Sequence, residues 1–297
     1  MNSRRQLVIY GEVLFDCFPD GRSVLGGAPF NVAWHCQAFG LQPLLISRVG
    51  HDEYGDQIKA AMRGWNMSID GLQTDEQYPT GKVQIAFVAG EPQYEIVENS
   101  AWDFISADEL PWLSAETMLY HGSLALRSQV SAATLAHLKR QLHATIFIDI
   151  NLRTPWWNPQ QVENLIADAQ ILKLNENELD LLGSESEMIE DKIKQRLTRN
   201  PLDWLIMTRG EKGVVAADFN QHIYTAKPEP AEHVVDTVGA GDSFSSVLLL
   251  GQYLQWPIET TLQRAQQFAS EIVGIQGATI NDKNFYQTFI DEWNLPG

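Results

Sequence analysis

One run of small residues ending in an acid is the clearest chemical signal in the chain: Asp236-Thr237-Val238-Gly239-Ala240-Gly241-Asp242-Ser243-Phe244. It leads into Ser245-Ser246-Val247-Leu248-Leu249-Leu250, which reads as a buried helix. Small residues directly before a helix let consecutive backbone N–H groups converge on an anion, and the helix terminus adds roughly half a positive charge. The amides of Gly239, Ala240 and Gly241 are therefore a candidate anion hole. Asp242, in the first helical turn, stands beside that hole, where it can accept a proton from a hydroxyl attacking a phosphoryl group. The plainer reading of the same residues is a Gly-rich turn with Asp as a helix cap.

A second segment, Gly26-Gly27-Ala28-Pro29-Phe30-Asn31-Val32-Ala33-Trp34, has Pro29 where a first helical turn accepts proline and Gly40 where a helix stops. Phe30, Ala33, Trp34 and Ala38 make an apolar stripe, so Asn31 sits near the start of a buried helix. A buried amide needs hydrogen bonds. Asn31 is either a structural polar residue or a contact for a ligand hydroxyl, with Gly27 letting the ligand reach the backbone.

These residues need a scaffold, and the short apolar runs supply one. Leu7–Tyr10, Leu44–Ser47, Met118–Tyr120, Thr145–Ile150, Ile171–Leu174 and Trp204–Thr208 read as strands, with helical periodicity between most of them, as in Tyr54–Trp65, Gln129–Leu142, Gln160–Ala169 and Asp191–Thr198. Runs apolar on both faces that alternate with helices indicate a mostly parallel sheet between two helical layers, an α/β fold of three-layer α/β/α type. Three strand ends offer chemistry, because open α/β sheets bind ligands at the carboxyl ends of their strands. Asn175 and Glu178 follow one strand and could hold hydrated Mg²⁺. Thr208, Gly210 and Gly213 follow another, in a turn that could meet phosphates, and Asp149-Ile150-Asn151-Leu152-Arg153 offers a guanidinium. Taken singly, each is as well explained as a cap, a loop or a surface ion pair.

One region breaks the rhythm. Val83, Ile85 and Phe87 alternate with Lys82, Gln84 and Ala86, and a turn at Ala89-Gly90-Glu91-Pro92 leads to Gln93–Val97, as in a β-hairpin with one wet face. Glu12–Phe18 alternates in the same way and could pair with it. The two stretches, about 12–25 and 80–101, are expected to form a small β lid on one domain spanning 1–297, because no linker or repeat divides the chain. From about Asp242 onward the chain reads mostly as helix.

Composition narrows the partners. The 297 residues carry a formal charge of −17, from 21 Lys and Arg against 38 Asp and Glu, which argues against general nucleic-acid binding. The two cysteines, Cys17 and Cys36, form neither a CxxC pair nor a ligand set and suit a reducing compartment. The apolar run after the basic start is too short for a signal peptide, and no stretch approaches a membrane span, so the expectation is a cytoplasmic protein.

The order of these motifs resembles the ribokinase-like (PfkB-type) carbohydrate kinases, whose signatures are a Gly-Gly-rich N-terminal segment and a C-terminal Asp-Thr-x-Gly-Ala-Gly-Asp. Residues 26–33 and 236–242 match both, and the family's Asn-x-x-Glu and Thr-x-Gly-x-x-Gly stand at Asn175–Glu178 and Thr208–Gly213. The resemblance implies Asp242 as catalytic base, Gly239, Ala240 and Gly241 as its anion hole, and Asp16, Gly27 and Asn31 as sugar contacts. It further implies Asn175 and Glu178 for Mg²⁺ and nucleotide phosphates, Thr208, Gly210 and Gly213 for the nucleotide, and Asp236 for the K⁺ that some members use. The 82–97 hairpin looks like the family's lid, which in many members also pairs subunits into homodimers. Gly-Gly-Ala-Pro-Phe-Asn-Val-Ala and Asp149-x-Asn151-x-Arg153 followed by Trp156-Trp157 look most like fructokinases, and Ala28 stands where ribokinases carry Lys. Ser270 and Gly274 depart from the usual small Ala residues, while Gly277-Ala278 remains.

The function this implies is ATP-dependent phosphorylation of a sugar hydroxyl, of fructose or a related ketose, with Arg153 and Mg²⁺ offsetting phosphate charge. Ribose, 2-keto-3-deoxygluconate or a nucleoside are the alternative acceptors, and a non-catalytic sugar or nucleotide sensor is the alternative from another class. A P-loop kinase or a dinucleotide enzyme is disfavoured: G-x-x-x-x-G-K-[ST] is absent, and Gly239-Ala240-Gly241 lies late in the chain, not after the first strand.

Overall fold

The computed structural model describes residues 5–88, 91–183, 186–228 and 235–295. The chain opens with β1 (Gln6–Tyr10) and makes an excursion through β2 (Leu14–Cys17) and β3 (Ser23–Gly26) before α1 (Ala28–Ala38). It returns through β4 (Leu44–Gly50), α2 (Glu53–Gly64) and β5 (Leu72–Asp75), then leaves again as β6 (Gly81–Val88) and β7 (Glu91–Ile96). Strand and helix then alternate: β8 (Glu116–His121), α3 (Gln129–Gln141), β9 (His143–Asp149), α4 (Pro159–Ile166), β10 (Ile171–Asn175), α5 (Glu176–Leu181), α6 (Ile189–Arg199) and β11 (Trp204–Thr208). The chain continues through β12 (Val214–Asp218) and β13 (Ile223–Ala226), and closes with α7 (Ala240–Leu254), α8 (Ile258–Val273) and α9 (Lys283–Glu292).

Among the described residues, nine strands make one sheet in the order β13-β12-β11-β10-β9-β8-β1-β4-β5. From β11 to β5 every pairing is parallel, while β12 and β13 add an antiparallel edge. Alternate residues of each strand serve opposite faces. Leu7, Ile9, Leu45, Phe147 and Ile206 join Phe30, Val247 and Phe268 from α1, α7 and α8 in one core. On the other face Ile148, Leu172 and Leu205 pack on Val162 of α4 and Ile193 of α6, and Val8 and Leu119 pack on Leu135 of α3. The architecture is three-layer α/β/α, as the apolar runs imply. The six expected strands are present. β5, β12 and β13 are additional, and β5 (Leu-Gln-Thr-Asp) carries a single large apolar residue, too little for a patterning signal.

The two excursions meet in a second sheet, ordered β3-β2-β6-β7, in which β2 runs parallel to β6 with Asp16 opposite Val83. Val83 and Ile85 are buried with Leu14, and Phe18 and Ile96 pack around them. Phe87, expected on the same apolar face, is 59% exposed. Pairing of β2 with β6 stops at Cys17 opposite Gln84, so the hairpin extends past its partner there. The expected turn residues Ala89 and Gly90 lie outside the described residues.

Candidate active site

Two helices point their N-termini at the carboxyl edge of the large sheet without side-chain caps. α1 starts after Gly27 (φ 104°) and α7 after Gly239 (φ 82°), both in backbone conformations that favour glycine. Space imposes the same choice: a Cβ on Gly27 would lie 2.7 Å from the Glu12 carbonyl oxygen, and one on Gly239 would lie 2.5 Å from Ala278. The helices are tied together across 211 residues of sequence, because Asn31 Nδ2 donates to Asp242 Oδ2 at 2.8 Å. The Oδ1 of Asn31 is buried and has no hydrogen-bond partner.

The first strong helical bond of α7 runs from Ser243 N to Gly239 O at 2.8 Å, and Ala240 N makes only a long 3.4 Å bond to Thr237 O. The N–H groups of Gly239, Gly241 and Asp242 precede the helical ladder and have no intrahelical acceptor. They form a cluster of donors open to an anion, at the positive end of a 15-residue helix. Beneath it lies a buried polar platform built by three adjacent strands. Lys173 of β10 sits opposite Asp149 of β9 in the sheet register, and its Nζ reaches Asp149 Oδ2 at 2.7 Å and Gly241 O at 3.3 Å. Ser245 Oγ donates to the same Asp149 oxygen at 2.7 Å, and Tyr120 OH of β8 does so at 3.4 Å.

Asp242 is half-buried at the mouth of this arrangement. Desolvation is the largest influence on its carboxyl and the neighbouring Asp149 charge adds to it, while the Asn31 hydrogen bond, Lys173 and Arg153 oppose them; the result is a group pushed up to about 6. Two more carboxyls lie on the α1 side. Asp16, in the small sheet, is pushed up to about 6 by burial and by Asp236. Glu12 is buried, with Oε2 unpartnered, and burial pushes it up to about 7 despite Arg153 and Arg127.

At the next helix along, Asn175 caps α5: its Oδ1 accepts Glu178 N at 2.9 Å, and Glu178 Oε2 accepts Asn175 N at 2.8 Å. The other Glu178 oxygen accepts Leu152 N at 2.8 Å, so both oxygens already serve backbone donors. Each keeps a free lone pair, which suits contact with a metal's water shell better than direct ligation. No group of three His, Cys, Asp or Glu placed to hold a metal occurs among the described residues. Thr208 ends β11, and Gly210 and Gly213 (φ 54° and 91°) shape the turn after it. The oxygens of Asp236 accept Val238 N at 2.9 Å and Gly277 N at 3.2 Å, which ties the segment before α7 to the C-terminal Gly277-Ala278. Arg153 is exposed, with Nη1 on Leu152 O at 3.2 Å.

The structure thus brings Asn31, Asp242 and the open amides of 239–242 into one place, and it sets Asn175, Glu178, Thr208, Gly210 and Gly213 on neighbouring ends of the same sheet edge. Sequence reading passed over Lys173 and Glu12. The signal for Lys173 was available: a lone cation inside the buried run Ile171-Leu172-Lys173-Leu174 requires a buried partner. A cavity of about 820 Å³ lies elsewhere, between α3 and α4 against Trp156 and Trp157, and none of the sequence-derived site residues line it.

A sequence profile described as "pfkB family carbohydrate kinase" matches residues 7–284. The chain belongs to the pfkB family of carbohydrate kinases. It is an enzyme that transfers phosphate to a sugar hydroxyl. Fructokinase-1 of Zea mays is 29% identical over 278 residues, covering 84% of this chain and 84% of that protein. The fructokinase of Xylella fastidiosa with bound ATP superposes with a TM-score of 0.86 at 19% identity, over 98% of this chain and 99% of that one. A Vibrio cholerae fructokinase carrying fructose, ADP and calcium gives a TM-score of 0.82 at 22% identity, over 97% and 99%.

Proposed function

We propose that this pfkB kinase phosphorylates fructose or a closely related ketose from ATP, with Asp242 as the base. The observation that carries the reading is the pairing of Asp242, fixed by Asn31, with the uncapped start of α7. An ordinary Asp is far too weak a base to ionise an alcohol beforehand, so Asp242 takes the proton as the new P–O bond forms. The hydroxyl oxygen attacks phosphorus, the bond to the ADP oxygen breaks, and the open amides of α7 stabilise the transferring group. Burial raises the proton affinity of Asp242, which strengthens it as an acceptor while leaving it ionised near neutral pH.

The acceptor side fits a neutral polyol. Asp242, Asp16 and the unpartnered oxygens of Glu12 and Asn31 all seek donors, and sugar hydroxyls supply them. The same carboxyls disfavour a carboxylated sugar such as 2-keto-3-deoxygluconate. The sheet β3-β2-β6-β7 would act as a lid over the sugar, excluding water from the transfer, within one domain formed by the whole chain. It carries Phe87 and Tyr94 exposed at 59% and 61%, a surface suited to pairing two copies. Thr208, Gly210 and Gly213 would face the nucleotide, and Arg153 its phosphates. Mg²⁺ would be held through water by Asn175 and Glu178, and when bound it offsets phosphate charge. Asp236 would be the residue beside K⁺ in this reading. The two free cysteines and the absence, among the described residues, of a helix able to cross a membrane accord with a cytoplasmic location.

ADP release measured with fructose, tagatose, ribose, 2-keto-3-deoxygluconate and adenosine tests the reading. Fructose or tagatose should give the highest kcat/KM, and a preference for adenosine or for the acid sugar would overturn the assignment of the acceptor.

A further inference from the structure

Lys173 and Asp149 form a buried ion pair where a kinase with a self-sufficient anion hole would need none. Both are under a tenth exposed, and they stand side by side on central strands, on the face that receives α7. Removing two charges from water is expensive, and an apolar pair of similar volume would be at least as stable there. Lys173 also does something an isolated pair would not, since its Nζ approaches the Gly241 carbonyl at 3.3 Å, and a Cβ on Gly241 would crowd that same nitrogen at 3.3 Å. The ammonium therefore abuts the underside of the turn whose upper side presents the open amides. Ser245, one turn further along α7, is bonded to the same Asp149 oxygen, so the pair grips the helix at two points.

We propose that Lys173, held by Asp149, is a positioning residue for phosphoryl transfer: it fixes the first turn of α7 and places a buried positive charge under the anion hole and Asp242. This rests on the reading of Asp242 as base. The charge works in two ways. Pulling on the Gly241 carbonyl polarises the peptide units whose N–H groups face the phosphoryl group, and the ammonium opposes Asp149 in setting the protonation of Asp242. The groups that face Asp242 are Asn31 from α1, Glu12 from the segment before β2, Asp149 from β9, Lys173 from β10 and Arg153 after β9, with Tyr120 of β8 alongside Asp149. Lys173 and Asp149 are the two whose charges have opposite effects from the same platform.

That opposition yields a test in which a packing role and a charge role part company. In the full-length enzyme, Lys173→Met should lower kcat by about 10²-fold with sugar and ATP KM changed only a few-fold, and it should move the acid limb of the kcat profile to higher pH by about one unit. Asp149→Asn should move the limb the other way. If Lys173→Met does not fold because Asp149 is left unpaired, the double variant Asp149→Asn/Lys173→Met removes both charges and decides the matter: it should keep the limb near its original pH and still show the loss of kcat. Wild-type kcat in Lys173→Met or in the double variant, or limbs that shift in the same direction or stay put in the two single variants, would overturn the proposal. Asp242→Asn, assayed in parallel, separates the two readings. Loss of turnover there with unaffected Lys173 variants refutes only the platform, whereas retained turnover in Asp242→Asn refutes the base itself.

Discussion

Two helix starts at the same sheet edge have opposite finishes. α5 begins with a reciprocal capping box in which Asn175 and Glu178 satisfy one another's amides, and Glu178 takes the Leu152 amide as well. α7 begins after a bare left-handed glycine, with Gly241 and Asp242 amides that have no acceptor among the described residues and an acid, Asp242, bonded outward to another helix. A closed helix end is the stable solution for a short helix. An open one is costly unless a ligand completes it, and here three strands commit Tyr120, Asp149 and Lys173 to bracing it. In the proposed reading the contrast assigns the phosphoryl group to the start of α7, and it gives Glu178 a structural duty besides any role toward Mg²⁺.

Asp242→Asn breaks the contrast most sharply, because the amide still accepts from Asn31 but takes no proton. Steady-state assays should show kcat reduced by about 10²–10⁴-fold, with ATP affinity from calorimetry within a few-fold of the parent. Gly239→Ala attacks the open end by geometry, adding a methyl group 2.5 Å from Ala278 on a residue with φ 82°. Unfolding in urea should show a loss of about 2–3 kcal/mol, accompanied by a fall in kcat. At the closed end, Glu178→Gln turns an NH₂ toward one of the two amides that the carboxylate accepts, so stability should drop by about 1–2 kcal/mol. Its kcat at saturating Mg²⁺ should stay within about tenfold, while the Mg²⁺ needed for half-maximal rate rises.

The smallest effect concerns pH. A carboxyl pushed up from 3.8 to about 6 holds its proton more tightly in the fold than in the unfolded chain, so its contribution to stability is full below about pH 4 and lost as pH rises through 6. Replacing Asp242 by Asn should therefore raise stability at pH 8 by about 1–2 kcal/mol and change little at pH 4, a difference that thermal unfolding at the two pH values would detect. Activity has the opposite sign, since protonated Asp242 accepts nothing: kcat should decline below about pH 6.

Much of this was legible in the residues. Gly239-Ala240-Gly241-Asp242 reads as an open helix start or as a turn with an Asp cap, and the structure shows the uncapped form; the buried strands read as apolar runs. β5, β12 and β13 were not legible, because β5 carries a single large apolar residue, β12 is Val-Val-Ala-Ala-Asp, and β13 is only four residues long, too short for a period to show. The Asn31–Asp242 contact spans 211 positions, and only the sheet order brings its halves together. Asn175 and Glu178 read in sequence either as a helix cap or as residues for Mg²⁺, and the Asn-x-x-Glu spacing delivers the cap as a reciprocal box. Lys173 was overlooked because its neighbours made the strand look uniformly apolar.

The most direct test of the central claim is a crystal structure of the enzyme with Mg-ADP, aluminium fluoride and fructose, the fluoride complex standing in for the transferring phosphoryl group. It should lie within about 3 Å of the amide nitrogens at 239–242, with a sugar hydroxyl between it and the Asp242 carboxylate. A fluoride complex bound away from the start of α7, or a sugar whose hydroxyls all stay beyond hydrogen-bonding reach of Asp242, would contradict the account.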